Sequence, residues 1–318
     1  IRVMKKLLSI LLICAVAGLA FAAPAKKAAK AKVPAKTKAE FVIVESDEYD
    51  AGKEDPQLTA GIAQFLNAEP TVTKVSYKDA AADPKLANLD YSFLPLYLIK
   101  KTDDIRTKLE KHLQYGYALE NEDFIILPHQ TRSGVFNGKT AKPGVMEIFV
   151  MSQCPYGAMA EGLVLQAQKD GKLPKDKEIK IRYVVSYDEK NGFSSLHGSG
   201  EWEEDIRQLL IAKYYPEKFW KYLEIRNKDY RSSRWDKAME EAGINVKKIM
   251  KKFDKEGVEL LKEEAKYAQE YGVNASPTFL WEGKVQLDFG TASQLEGFSF
   301  LNPNAAANTG AAAPAGSC

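Results

Sequence analysis

Residues 145–162 read VMEIFVMSQCPYGAMAEG, and this stretch decides the fold. Residues 145–151 form an apolar run with the length and β-rich composition of a buried strand. Ser152 and Gln153 break it, Cys154-Pro155-Tyr156-Gly157 follows, and Leu163, Val164 and Ala167 recur at helical spacing. The pattern predicts a helix over 155–169, with Pro155 in the first turn, where a missing N–H costs nothing. Cys154 then sits at the strand-to-helix junction. Amide donors and the positive dipole end stabilise a thiolate there and make the sulfur nucleophilic. The competing reading is an inert core cysteine.

A second motif lies far downstream, in YGVNASPTFL at 271–280. Leu260, Leu261, Ala265, Ala268 and Tyr271 are spaced as on one helix, and Gly272 is a natural C-terminal stop. Ser276-Pro277-Thr278-Phe279 opens a strand to Trp281, and Glu282-Gly283 turns the chain into another over 284–289. With Cys154-Pro155-Tyr156-Gly157 at a strand–helix junction, this order resembles the thioredoxin superfamily, whose active site reads Cys-x-x-Cys. Gly157 stands where the resolving cysteine would be. The resemblance implies an α/β, thioredoxin-like fold with Cys154 as catalytic nucleophile and Pro155, Tyr156 and Gly157 completing the motif. It also implies that Pro277 is cis and faces the cysteine, with Ser276, Pro277 and Thr278 binding an extended substrate backbone. A cysteine at 157 would lie one turn inside the helix and should add no backbone strain, so Gly157→Cys is expected to restore a dithiol.

Ile1 to Val3 precede Met4, which looks like the initiator. Lys5-Lys6, the apolar run over 7–21 and Ala20-Phe21-Ala22 read as a secretory signal over 1–22, too short for a comfortable membrane span. Residues 23–39 are almost wholly Ala, Lys and Pro and read as a solvated tether. The first 39 residues hold nine Lys or Arg and no acid, which leaves a net charge of −7 on the rest. That balance argues against nucleic acid as a partner. The expected location is periplasmic or secreted, in an oxidising compartment.

Residues 40–142 are enough for one small domain. Strands are predicted at 41–44, 71–77, 93–99 and 124–127, with helical faces at Leu58, Ile62, Phe65 and Leu66 and over 103–113. The order resembles a second thioredoxin-like unit with Pro95 at the cis-proline place. Its expected active loop, 46–50, has no cysteine, so the unit reads as non-catalytic. Residues 130–144 look like a linker. The second domain, 143–300, has a helical insertion at about 188–256, which resembles DsbA-like oxidoreductases and the gamma-interferon-inducible lysosomal thiol reductase group. The two together make tandem thioredoxin-like domains.

Four helices are expected in the insertion, marked by Ile206, Leu209, Leu210 and Lys213, by Phe219, Trp220 and Leu223, by Trp235, Ala238, Met239 and Ala242, and by Asn245 capping a fourth through Phe253. Tyr214, Tyr215, Phe219, Trp220, Tyr222, Tyr230 and Trp235 should be mostly core. His197, in Ser-Leu-His-Gly, is either a neighbour of Cys154 or a surface-loop histidine. The scattered histidines and cysteines offer no metal site, and no motif calls for a cofactor.

Residues 301–318 read as a disordered tail ending in Cys318, a possible resolving cysteine. The chain is thus expected to be an exported thiol–disulfide oxidoreductase or isomerase-like protein acting through one nucleophilic cysteine. Its partners would be cysteine-containing or unfolded exported proteins and a small thiol or redox partner. The alternative from another class is a redox-inactive peptide-binding or chaperone-like module of the same fold.

Overall fold

The computed structural model describes residues 36–306. The signal, most of the tether, Cys14, Cys318 and most of the tail lie outside the described residues. The chain divides into two compact units between Val135 and Phe136.

The first unit begins with β1 (Thr37–Glu45), whose Ala39, Phe41, Ile43 and Val44 are buried. Regular structure thus starts inside the segment expected as tether, because Ala39 already faces the core. Asp55 caps α1 (Pro56–Phe65), its side chain accepting from the amides of Gln57 and Leu58. The chain returns through β2 (Ala68–Ser76), parallel to β1, and α2 (Tyr77–Ala82). The run expected as one strand over 93–99 is two, β3 (Phe93–Leu94) and β4 (Leu96–Lys100), parted at Pro95, whose peptide bond is cis. The helix expected over 103–113 is also two, α3 (Asp103–Lys108) and α4 (Glu110–Tyr115), because Leu109 leaves helical geometry at φ −98°, ψ 6°.

β5 (Leu119–Glu120) and β6 (Phe124–Leu127) complete a mixed sheet of order β2-β1-β4-β6-β5. Alternation along its strands sends Phe41, Ile43, Tyr97 and Ile99 to the face that packs on Leu58, Ile62, Ala63, Ile105 and Leu109 of the helices. Val44, Leu96 and Leu98 go to the other face, under Ala80, Leu86 and Tyr91.

The second unit is an α/β unit whose sheet sets residues 285–287, 278–281, 145–150 and 178–183 side by side in that order. β7 is Gly134–Phe136, β8 is Val145–Val150 and α5 is Pro155–Lys169, which leads to β9 (Glu178–Tyr183), parallel to β8. Within β8, Glu147 is buried beside Arg182 at 2.8 Å and Lys142 at 3.1 Å. Burial pushes its carboxyl up, but the Tyr267 hydroxyl and Arg182 outweigh this and hold it below the usual range.

After β9 come a hairpin, β10 (Ser186–Asp188) with β11 (Gly192–Ser194), and four helices. These are α6 (Ser199–Tyr214), α7 (Pro216–Arg226), α8 (Trp235–Glu241) and α9 (Val246–Lys252), the last capped by the Asn245 side chain. A π-helical turn, Phe253–Gly257, joins α9 to α10 (Val258–Glu270). Gly257 is needed there, since a Cβ would lie 2.4 Å from Ile206 Cγ2. Of the seven aromatics expected to be mostly core, Phe219 and Tyr222 are buried and the other five are half-buried.

β12 (Thr278–Trp281) runs antiparallel to β8, and β13 (Val285–Leu287) antiparallel to β12. A short helix, α11 (Phe289–Ala292), and a 3-10 turn, Ser299–Leu301, precede a last helix, α12 (Pro303–Ala306). Regular structure therefore continues past residue 301 into the expected tail, because Leu301 is fully buried. No described helix is long and apolar enough to cross a membrane.

Candidate functional site

Cys154 is the N-cap of α5, with extended backbone geometry, and its carbonyl accepts from the amide of Ala158 at 3.0 Å. The residue is fully buried and disulfide-bonded. Its sulfur lies 3.5 Å from the backbone carbonyl of Ser276, whose peptide bond to Pro277 is cis. Chain order explains the meeting: α5 leaves the end of β8, and β12 pairs with β8 so that Thr278 faces Phe149. Both motifs thus meet at the same end of these two paired interior strands. Pro155 is exposed, Tyr156 half-buried and Gly157 buried. Thr278 is buried and turns its hydroxyl back onto the carbonyl of Ala275 at 2.9 Å.

Gly157 is buried against Ser276. The Ser276 hydroxyl accepts from the Met151 amide at 2.9 Å. A Cβ at 157 would lie 2.7 Å from that oxygen, 3.1 Å from the Met151 carbonyl and 3.3 Å from Val150 Cβ. The expectation of no added backbone strain concerns the helix alone; a side chain here meets packed neighbours that the sequence reading did not weigh. Helix geometry tolerates a side chain at this position, but the space is already occupied.

The sequence reading did not single out Glu201, on the first turn of α6. Its carboxylate is fully buried; Oε2 accepts the Gln153 amide at 3.1 Å and lies 2.5 Å from His197 Nδ1. The Ser152 hydroxyl donates to its backbone carbonyl at 3.1 Å. Both residues preceding Cys154 are thus tied to Glu201, and His197 belongs to this neighbourhood. The Arg231 guanidinium reaches the Gln153 carbonyl at 3.4 Å.

Behind this loop the polar face of α6 is buried too. Glu204 accepts from Arg207 at 2.9 Å, Tyr222 at 2.8 Å and Arg226 at 3.1 Å. Burial pushes the Asp205 carboxyl well above the ordinary range, and the charges of Glu201 and Glu204 push the same way. Glu161 on α5 is buried beside Asn227, 2.7 Å away, and burial pushes its carboxyl up to about 7. Among the described residues no group of three or more His, Cys, Asp or Glu side chains is arranged to hold a metal ion.

No family model and no curated protein matches the sequence. Among solved structures the chain is similar to the DsbA disulfide interchange protein of Klebsiella pneumoniae, at 16% identity and TM-score 0.37, over 54% of this chain and 89% of that one. It is also similar to Proteus mirabilis DsbA with a non-covalently bound peptide, at 11% identity and TM-score 0.37, over 54% and 89% of the two chains. BdbD of Bacillus subtilis is similar at 17% identity and TM-score 0.38, over 52% and 88%.

Proposed function

We propose that the chain is a thiol–disulfide oxidoreductase or isomerase-like protein of thioredoxin type, working on protein disulfides through one nucleophile, Cys154. The observation that carries this reading is the place of Cys154, disulfide-bonded at a helix N-cap with its sulfur 3.5 Å from the carbonyl before cis-Pro277. A sulfur there is set to exchange disulfides while a substrate backbone pairs alongside. Ser276, Pro277 and Thr278 bind that backbone, and Pro155, Tyr156 and Gly157 shape the turn.

Gly157 supplies no second thiol, so a mixed disulfide is released by Cys318 or by an outside small thiol. The helices between β9 and α10 are an insertion over the site. The first unit is a tandem, cysteine-free partner domain, in which cis-Pro95 precedes β4 as cis-Pro277 precedes β12. Residues 1–22 direct export, which places the substrates among periplasmic or secreted proteins.

Acid-quenched, non-reducing electrophoresis of cells expressing wild type, Cys154→Ala and Cys318→Ala tests the reading. Adducts that need Cys154 and accumulate in Cys318→Ala are the expected result. Absence of any Cys154-dependent adduct would leave the redox-inactive peptide-binding module in its place.

A further inference from the structure

A groove runs alongside the helix that starts at Cys154. Ala158, Gly162 and Leu165 of α5 form its floor, and Glu224 and Asn227, from the end of α7, form its far wall. Its volume is about 320 Å³. Positions 154, 158, 162, 165 and 169 follow one another at intervals of three or four residues, so they share one face of the helix. The groove therefore leads from Lys169 towards Cys154, whose carbonyl accepts from the Ala158 amide at 3.0 Å. The Lys169–Glu224 ion pair, at 2.7 Å, bridges α5 and α7 at the end remote from the cysteine. Gly162 is exposed, and a Cβ there would meet nothing within 4 Å, so the glycine keeps the floor low. Asn227 commits its side-chain nitrogen to Glu161 at 2.7 Å, which leaves its carbonyl oxygen to accept a backbone N–H from an occupant.

Cys154 is disulfide-bonded and is the one cysteine among the described residues, so its partner lies outside them. Cys14 falls in the stretch proposed to direct export. Cys318 follows α12, and both α12 and the 3-10 turn before it lie against α5. Residues 307–318 read ANTGAAAPAGSC, without a charged, aromatic or long aliphatic side chain. Extended, they reach about 40 Å, against about 22 Å for the length of α5. We propose that the groove between α5 and α7 seats residues 307–317 and so delivers Cys318 to Cys154. The inference rests on the oxidoreductase reading above and deepens its release step. Small side chains let the segment's backbone approach the floor at Gly162 closely. The Cys318 thiolate then attacks Cys154 Sγ in a mixed disulfide. A bond forms between the two sulfurs, the bond to the substrate sulfur breaks, and the proton given up by Cys318 passes to the departing sulfur. Cys318 is oxidised into a disulfide with Cys154, and the substrate sulfur is reduced to a thiol. A small external thiol reduces that disulfide in turn and is itself oxidised to its own disulfide.

The test is the effective concentration of Cys318 at Cys154. A plain flexible tether gives roughly millimolar values, and a seated segment exceeds them. Full-length protein is equilibrated in glutathione buffers of graded ratio, quenched by alkylation, and the 154–318 bond is quantified by mass spectrometry. Gly162→Trp fills the groove from its open side and should lower the effective concentration about tenfold or more, whereas Gly162→Ala should stay within about threefold of wild type. The triple variant Ala311→Gln/Ala312→Gln/Ala313→Gln adds bulk to the segment without touching the described fold, and should repeat the loss if Gly162→Trp does not fold. Values within about threefold across wild type, Gly162→Trp and the triple variant would make the segment a plain tether and overturn the inference. Bonds between residues 154 and 318 of separate copies, seen as dimers on non-reducing gels, would overturn it as well. Glutathione capture by Cys154 in Cys318→Ala reports on the oxidoreductase reading separately. Its absence would sink that reading, while the groove stands or falls on the shift at Gly162.

Discussion

The Ser276 hydroxyl lies 2.7 Å from the point that a Cβ on Gly157 would occupy, so the two positions compete for one volume. The hydroxyl is held there by the Met151 amide, and rotating it away would leave that buried donor unpaired.

Gly157→Ala would add about 1 kcal/mol to an exposed helix. Here it should cost about 1–3 kcal/mol by overpacking, and Gly157→Cys at least as much. Ser276→Ala alone should cost about 1–3 kcal/mol through the unpaired amide. The double variant Gly157→Ala/Ser276→Ala should lose less than the sum of the singles. Urea melts of the four proteins measure this coupling; strict additivity would disprove the competition.

Glu161 gives the fold a pH dependence of known sign. Its folded pKa is raised from 4.5 to about 7, so between those values the folded state binds more protons than the unfolded one. Its contribution is fully present below pH 4.5 and is lost as pH rises through about 7. Glu161→Gln keeps an acceptor for Asn227 and removes the titration. Across that window its stability relative to wild type should climb by roughly 3 kcal/mol. Chemical denaturation at pH 5 and pH 8 is the measurement, and a flat difference would contradict the assignment.

Breaking the buried Glu204 network should be severe. Arg226→Leu removes the guanidinium 3.1 Å from Glu204 Oε1, both side chains being at most 4% exposed. The expected loss is about 3–5 kcal/mol, because a buried carboxylate is left under-compensated. Adding Glu204→Gln should recover part of it. A loss below about 1 kcal/mol, the range of a surface pair, would show that water reaches the site.

Cys318 is tested by peptide mapping under non-reducing conditions. Release through Cys318 requires a peptide pair joining residues 154 and 318 in protein purified without reductant. Cys318→Ser should also lengthen the life of Cys154 adducts. A map in which Cys154 never pairs with Cys318 would leave release to an outside thiol.

Much of the scaffold was legible because local signals agreed with one another. The helix over 155–169 follows from Pro155 and from Leu163, Val164 and Ala167, and α5 occupies those residues. Pro277 was marked by the glycine stop before it and the strand after it. Glu201 was not legible. On α6 the sequence reading followed Ile206, Leu209, Leu210 and Lys213, yet Glu201, Glu204, Asp205, Arg207 and Gln208 are buried while Lys213 is exposed. A helix enclosed by α7, the π-helical turn and α10 buries polar residues whose partners come from distant positions, and periodicity carries no record of them. The clash at Gly157 escaped for the same reason, since its neighbour is far away in sequence.

Ser276 serves three neighbours at once: its oxygen anchors Met151, its carbonyl meets the Cys154 sulfur, and its peptide bond to Pro277 is cis. In mutational terms this makes the site a ratchet. A codon change that placed cysteine at 157 would collide with the serine, and a change that cleared the serine first would strip the Met151 amide. Either route passes through a less stable chain. A second thiol at position 157 is therefore accommodated only by changing Gly157 and Ser276 together.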